Sequence, residues 1–171
     1  MATAEGESEL RRAFESWLAG ALSPIRLSQE LLAVARREPE AVLNFGEERA
    51  QRTRAAERTF AAIAIQAAAA YADASLLESD LEPQLIRWLA AELDPAVADE
   101  FASALLQVWG RRDALGAELA MAAHHSPNVR LAAAKALALQ YPDPPPRTVE
   151  DALARLREDE DSRVRSWARS S

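Results

Sequence analysis

The sequence contains no cysteine, which excludes disulfides, thiol nucleophiles and thiolate zinc sites and fits a reducing compartment. Its five glycines, Gly6, Gly20, Gly46, Gly110 and Gly116, are too scattered for a dinucleotide fingerprint or a Walker loop, so nucleotide hydrolysis is disfavoured. The two histidines, His124 and His125, are adjacent, and neighbours on a helix point about 100° apart and cannot comfortably share a metal. Their expected role is to stabilise exposed carbonyls at a helix end. No apolar run approaches the ~20 residues that cross a bilayer; the longest weakly polar stretch, Phe60 to Ala72, is mostly alanine around Gln66 and reads as a buried core helix. The start, with Glu5, Glu7 and Glu9, lacks the positive region and apolar block of a signal peptide, so a cytoplasmic protein is expected.

What is abundant is alanine, 39 of 171 residues, alongside 49% hydrophobic, 27% charged and only 6% aromatic residues. That balance suits closely packed helices and disfavours twisted, β-branched sheets. The net charge of −7 works against a non-specific polyanion binder. It is concentrated in a central band: residues 61–123 hold three basic and ten acidic side chains, while 124–171 hold eight and seven.

The spacing of Leu10, Ala13, Phe14, Trp17, Leu18, Ala21 and Leu22 predicts an amphipathic helix. Ser23-Pro24 predicts a capped second helix to about Arg37 with Leu27, Leu31, Val34 and Ala35 as its apolar stripe. Glu38-Pro39 interrupts, a short turn of helix holds Val42 and Leu43, and Gly46 separates it from a long helix reaching Ala74, in which Glu48 and Arg52 have stabilising spacing. From Ser79 the chain repeats itself. Val97, Val129 and Val164 are equivalent, each three residues after a capping type (Asp94, Ser126, Asp161), and the first two caps precede proline. Ala102, Ala104 and Leu105 match Ala134, Ala136 and Leu137; Leu85 and Leu89 match Ala117 and Met121, then Ala152 and Leu156. Each unit is a helix pair, over about 81–107, 113–140 and 147–171, with Pro142, Pro144, Pro145 and Pro146 stiffening the last connection.

The stretch Ser126-Pro-Asn-Val-Arg-Leu-Ala-Ala-Ala-Lys-Ala-Leu137 resembles the signature of short bacterial HEAT repeats, D-x-x-V-R-x-x-A-x-x-A-L. Asp161-Ser-Arg-Val-Arg-Ser-Trp-Ala168 keeps its start, and the first unit has Ala98 in place of the arginine. The resemblance implies an all-α, right-handed α-α superhelix with additional amino-terminal helices. Residues 1–78 would pack on repeats at 79–171 as one compact domain.

In this family the second helix of each pair generally lines the concave face. The resemblance therefore implies that a partner meets Asp99, Glu100 and Ser103 from the first unit, Arg130 and Lys135 from the second, and Arg163, Arg165 and Arg169 from the third. Arg130 and Arg165 have a second reading, as the ladder of hydrogen bonds between repeats. Trp17, Trp88 and Trp109 read as packing, whereas Trp167 sits on a last helix with no following repeat to cover it. The carboxylates Asp99, Glu100 and Glu158 to Asp161 read as caps and solvated charge rather than a metal site. No catalytic residue, cofactor or metal is expected, and the expected function is binding another protein as a non-enzymatic adaptor. The alternatives are nucleic-acid binding through the carboxy-terminal arginines, which the acidic band disfavours, and a HEAT-type enzyme whose site sequence does not display. Self-association through the carboxy-terminal edge stays open.

Overall fold

The computed structural model describes residues 3–73, 81–111, 114–141 and 144–169. Among these residues there are ten helices and no strand: α1 (Ala4–Leu18), α2 (Pro24–Ala35), α3 (Pro39–Glu47), α4 (Ala55–Ala69), α5 (Glu82–Ala91), α6 (Pro95–Trp109), α7 (Leu115–Met121), α8 (Pro127–Leu139), α9 (Arg147–Leu156) and α10 (Ser162–Arg169). Asp113, Pro142, Ala74 and Ser171, which bound or join expected elements, lie outside the described residues.

Helix starts follow the caps. Ser23 Oγ accepts from the Arg26 N–H at 3.3 Å, and Asp94 Oδ1 accepts from the Ala96 and Val97 N–H groups at 2.9 and 3.3 Å. Pro24, Pro39, Pro95 and Pro127 occupy the first turns, where their missing N–H leaves no orphan acceptor. Ser126 departs from the expectation: its backbone is extended as a cap requires, but its hydroxyl makes no capping bond.

The expected long helix starts late. The chain leaves α3 at Glu47, turns, and resumes helix at Ala55. Arg49 fixes the turn, its guanidinium 3.4 Å from the Phe45 ring centroid and 4.7 Å from that of Phe14, while Nη1 donates to Phe45 O at 2.7 Å. Glu48 consequently pairs with Arg49 at 3.2 Å rather than with Arg52. Gly46 is no separator but part of α3, where a Cβ would stand 3.1 Å from Ile65 Cγ1 and 3.2 Å from Ala61 O. Its bare backbone lets α3 cross α4 closely.

From Phe60 onward every residue of α4 except Gln66 is buried, as the run predicted. Alanine permits this, because α1, α2 and α3 pack on α4 from one side and α6 from another. The second helices α4, α6, α8 and α10 then lie side by side, each braced by its own first helix α3, α5, α7 and α9. A pair of the same build as the three read from sequence thus precedes them. One core runs from Leu10 through α4 and α6 to Val129, Ala132 and Ala136; a second, on the other face of α8, gathers Leu131, Ala134, Leu137, Val149, Leu153 and Val164. The first three tryptophans pack as expected: Trp109 is fully buried with Nε1 donating to Glu82 Oε1 at 3.1 Å, Trp17 donates to Ala56 O at 2.7 Å, and Trp88 leans on Phe101.

Candidate functional site

Three arginines make the same contacts. On each, Nη1 donates to the carbonyls six and five residues upstream: Arg58 to Arg52 and Thr53 (3.0 and 2.7 Å), Arg130 to His124 and His125 (3.0 and 2.9 Å), Arg165 to Asp159 and Glu160 (2.6 and 2.9 Å). On the first two, Nε and Nη2 close on a carboxylate two residues ahead of the next second helix's cap. Arg58 takes Glu92 at 2.7 and 2.9 Å, and Arg130 takes Asp159 at 2.7 and 3.0 Å. The same carboxylates fold their own loops, Glu92 Oε1 accepting from the Asp94 N–H and Asp159 Oδ1 from the Asp161 N–H, both at 2.9 Å. Each rung therefore ties one helix pair to the next through a planar, charge-assisted fork.

These rungs are shielded from water. The Arg130 and Asp159 side chains are 11% and 8% exposed. Burial pushes the Asp159 carboxyl up, but the Arg130 fork and the Asp161 N–H outweigh it and hold the group below the usual carboxylate range; Glu92 is lowered in the same way by Arg58 and the Asp94 N–H. Glu160 adds a fifth bond to Arg130, at 3.1 Å, so every N–H of that guanidinium is engaged inside the chain. Arg130 consequently has no donor to offer a partner, and its place on an open binding face gives way to the ladder role.

Lys135 is corrected likewise. Its side chain is 5% exposed, Nζ sits 2.5 Å from Asp99 Oδ1 and 5.2 Å from the Trp167 ring centroid, and it straps α6 to α8 and α10. Trp167, left uncovered by the sequence reading, packs half-buried against the second core.

The remaining candidates separate. Asp99 is exposed on α6, and Ser103 Oγ donates to its carbonyl at 3.0 Å. Glu100 is half-buried, its carboxyl pushed up first by burial and then by Asp99, with Lys135 opposing. Arg163 Nη2 donates to Asn128 Oδ1 and Asp161 Oδ2, both at 2.9 Å, while its Nη1 is buried with no hydrogen-bond partner among the described residues. Arg169 is exposed and donates to Arg157 O at 3.3 Å. Asp99, Arg163 and Trp167, with Leu131, Ser162 and Ser166, line an open cleft of about 350 Å³. Arg165, Arg169, Glu100 and Ser103 are not in its lining.

The His124 ring is held below its ordinary pKa by burial, His125 and Arg130, and its Nδ1 accepts from the Ser126 N–H at 3.1 Å, so it serves a turn as a neutral ring. Asp161 is lowered chiefly by its bond from Arg163. Among the described residues no group of three or more His, Asp and Glu side chains is placed to hold a metal ion.

Two features escaped the sequence reading. Arg58 was not singled out there, yet Ala61, Ala64 and Ile65 follow it as Ala133, Ala136 and Leu137 follow Arg130. That spacing was the available signal, masked by Arg54 at the cap and Glu57 in the valine position. The second is a cleft of about 560 Å³ beside this rung, lined among others by Gln51, Arg87, Trp88 and Leu93, with Leu93 94% exposed.

No helix among the described residues is long and apolar enough to cross a membrane. Comparison with curated proteins returned no match, and neither did comparison with solved structures. The family profile described as HEAT repeats matches residues 82–171, which span α5 to α10. Helix pairs whose second helices stand in a row, with arginine rungs closing two of the junctions, are the physical counterpart of that match: the chain belongs to the HEAT-repeat family.

Proposed function

We propose that this HEAT-repeat chain is a non-enzymatic adaptor that binds another protein on the face made by α6, α8 and α10. Protein–protein interaction is the general use of HEAT repeats, and one observation supports this face as the place for it. The cleft beside Trp167 is rimmed by Arg163, whose side chain is 34% exposed and whose guanidinium is held in place by Asn128 and Asp161; a charged group fixed in advance loses little entropy on meeting a partner. A half-buried indole next to an oriented guanidinium is the type of pair that carries affinity at interfaces. Asp99 in the same lining gives the face both signs, which favours a partner of mixed charge over a polyanion. On this reading residues 1–78 brace the repeats at 79–171 as one compact unit, in a cytoplasmic setting that the absence of cysteine suits.

The test is affinity capture from source-organism lysate, with and without nuclease, joined to cross-linking that locates the contact. Wild type is compared with Ser166→Lys/Trp167→Ala after its melting temperature confirms the fold. A nuclease-resistant protein cross-linked to α6, α8 or α10 and lost in the variant supports the proposal. Nuclease-sensitive capture supports nucleic-acid binding instead, and capture indifferent to the variant removes this face from the account.

A further inference from the structure

We infer that the free edge of the Arg165 guanidinium is a docking point for an acidic segment of a partner protein that leads into a helix, the partner's carboxylate closing the rung. This inference rests on the adaptor reading and names the chemistry that the α10 rung selects.

The two closed rungs define the ligand. In each, a guanidinium held by two upstream carbonyls presents Nε and Nη2 to a carboxylate placed two residues before a helix cap, and that carboxylate also takes the cap residue's N–H. Arg165 repeats the first half of this arrangement, held by the Asp159 and Glu160 carbonyls at 2.6 and 2.9 Å. Its Nε and Nη2 have no partner among the described residues. The fork is thus oriented in advance, so little side-chain entropy is lost on binding. The acidic side chains just upstream do not fill it, because Glu160 turns to Arg130 at 3.1 Å and Asp161 to Arg163 at 2.9 Å.

The surrounding surface says what kind of partner fits. Register from the shared arginine sets Ser166 and Arg169 of α10 against Leu131 and Ala134 of α8. Leu131 and Ala134 are buried in the second core, whereas Ser166 and Arg169 are exposed. An apolar helix pair stacked here would desolvate a serine and an arginine. An acidic, polar lead-in meets Arg165 and Arg169 with opposite charge and leaves them hydrated. Lysine, a point charge without the planar fork, does not reproduce the bidentate geometry.

The experiment titrates the full chain with a synthetic helical peptide carrying an aspartate two residues ahead of an aspartate cap. Controls are the same peptide with asparagine at the first position and inorganic phosphate alone. NMR follows the Arg165 Nε–H and the Trp167 indole N–H. The expected result is that the aspartate peptide shifts the Arg165 Nε–H and slows its exchange, and that the asparagine peptide or Arg165→Lys weakens binding about tenfold each, without adding. An aspartate peptide that leaves the Arg165 signal unmoved overturns the inference, and so does phosphate displacing it at equal concentration, which marks a general anion site. Binding that moves only the Trp167 signal also overturns it, while leaving the adaptor reading intact.

Discussion

Replacing Arg130 by methionine keeps most of the side-chain volume and removes the whole fork. The Asp159 carboxylate, 8% exposed, is then left in the stack with only the Asp161 N–H for company, and the His124 and His125 carbonyls lose their donors. Removing one partner of a buried pair costs about 3–5 kcal/mol because the remaining charge is uncompensated. For a chain of this size each kcal/mol lowers the melting temperature by about 2–4 °C, so a fall of roughly 6–20 °C is expected. Arg165→Met loses two bonds from a half-buried side chain to backbone carbonyls and strands no charge, so it costs about 1 kcal/mol. The double replacement Arg130→Met/Asp159→Leu removes the orphan and recovers part of the loss, a coupling of about 1–3 kcal/mol. Thermal and urea unfolding followed by circular dichroism measure all three. An Arg130→Met variant within about 1 kcal/mol of wild type, or no more affected than Arg165→Met, refutes the reasoning.

Acid should loosen the stack through the same rungs. Glu92, Asp159 and Asp161 all have folded pKa values below their unfolded ones, so their stabilisation is complete above the unfolded carboxylate range and is lost as pH falls through the folded values; melting temperature against pH checks this, and Arg130→Met should flatten the fall. Glu100 has the opposite sign, its folded pKa raised, so Glu100→Gln should raise the melting temperature at neutral pH and change little at pH 3. Gly46→Val places side-chain atoms where even a Cβ meets Ala61 O at 3.2 Å and should cost about 1–3 kcal/mol by urea unfolding. Lys135→Met breaks the strap between Asp99 and Trp167, and the Trp167 indole signal should move while those of Trp17 and Trp109 stay fixed.

The repeats were legible because the three second helices read from sequence open with a cap-type residue and a valine in fixed register, two of them with a proline after the cap, local features that survive whatever the helix packs against. Burial of α4 was legible for the same kind of reason, since an alanine run has no polar face to expose. The turn near Arg49 was not: helical spacing of Glu48 and Arg52 is a local preference, and a guanidinium stacked on Phe45 and Phe14 is a tertiary one that overrides it. Site residues were harder still. Sequence placed Arg130 and Lys135 on the face of second helices, but whether a cation faces solvent depends on which carboxylate the next pair brings. Asp159 and Asp99 arrive from 29 residues downstream and 36 residues upstream respectively.

The distinction between closed and open rungs is measured most directly by hydrogen exchange at arginine Nε–H groups, assigned through single arginine-to-lysine variants. The account predicts slow exchange at Arg58 and Arg130, whose Nε–H bonds to Glu92 and Asp159 are 2.7 Å long, and fast exchange at Arg165 in the free protein. Exchange at Arg130 as fast as at Arg165, or protection of Arg165 with no partner added, would contradict it.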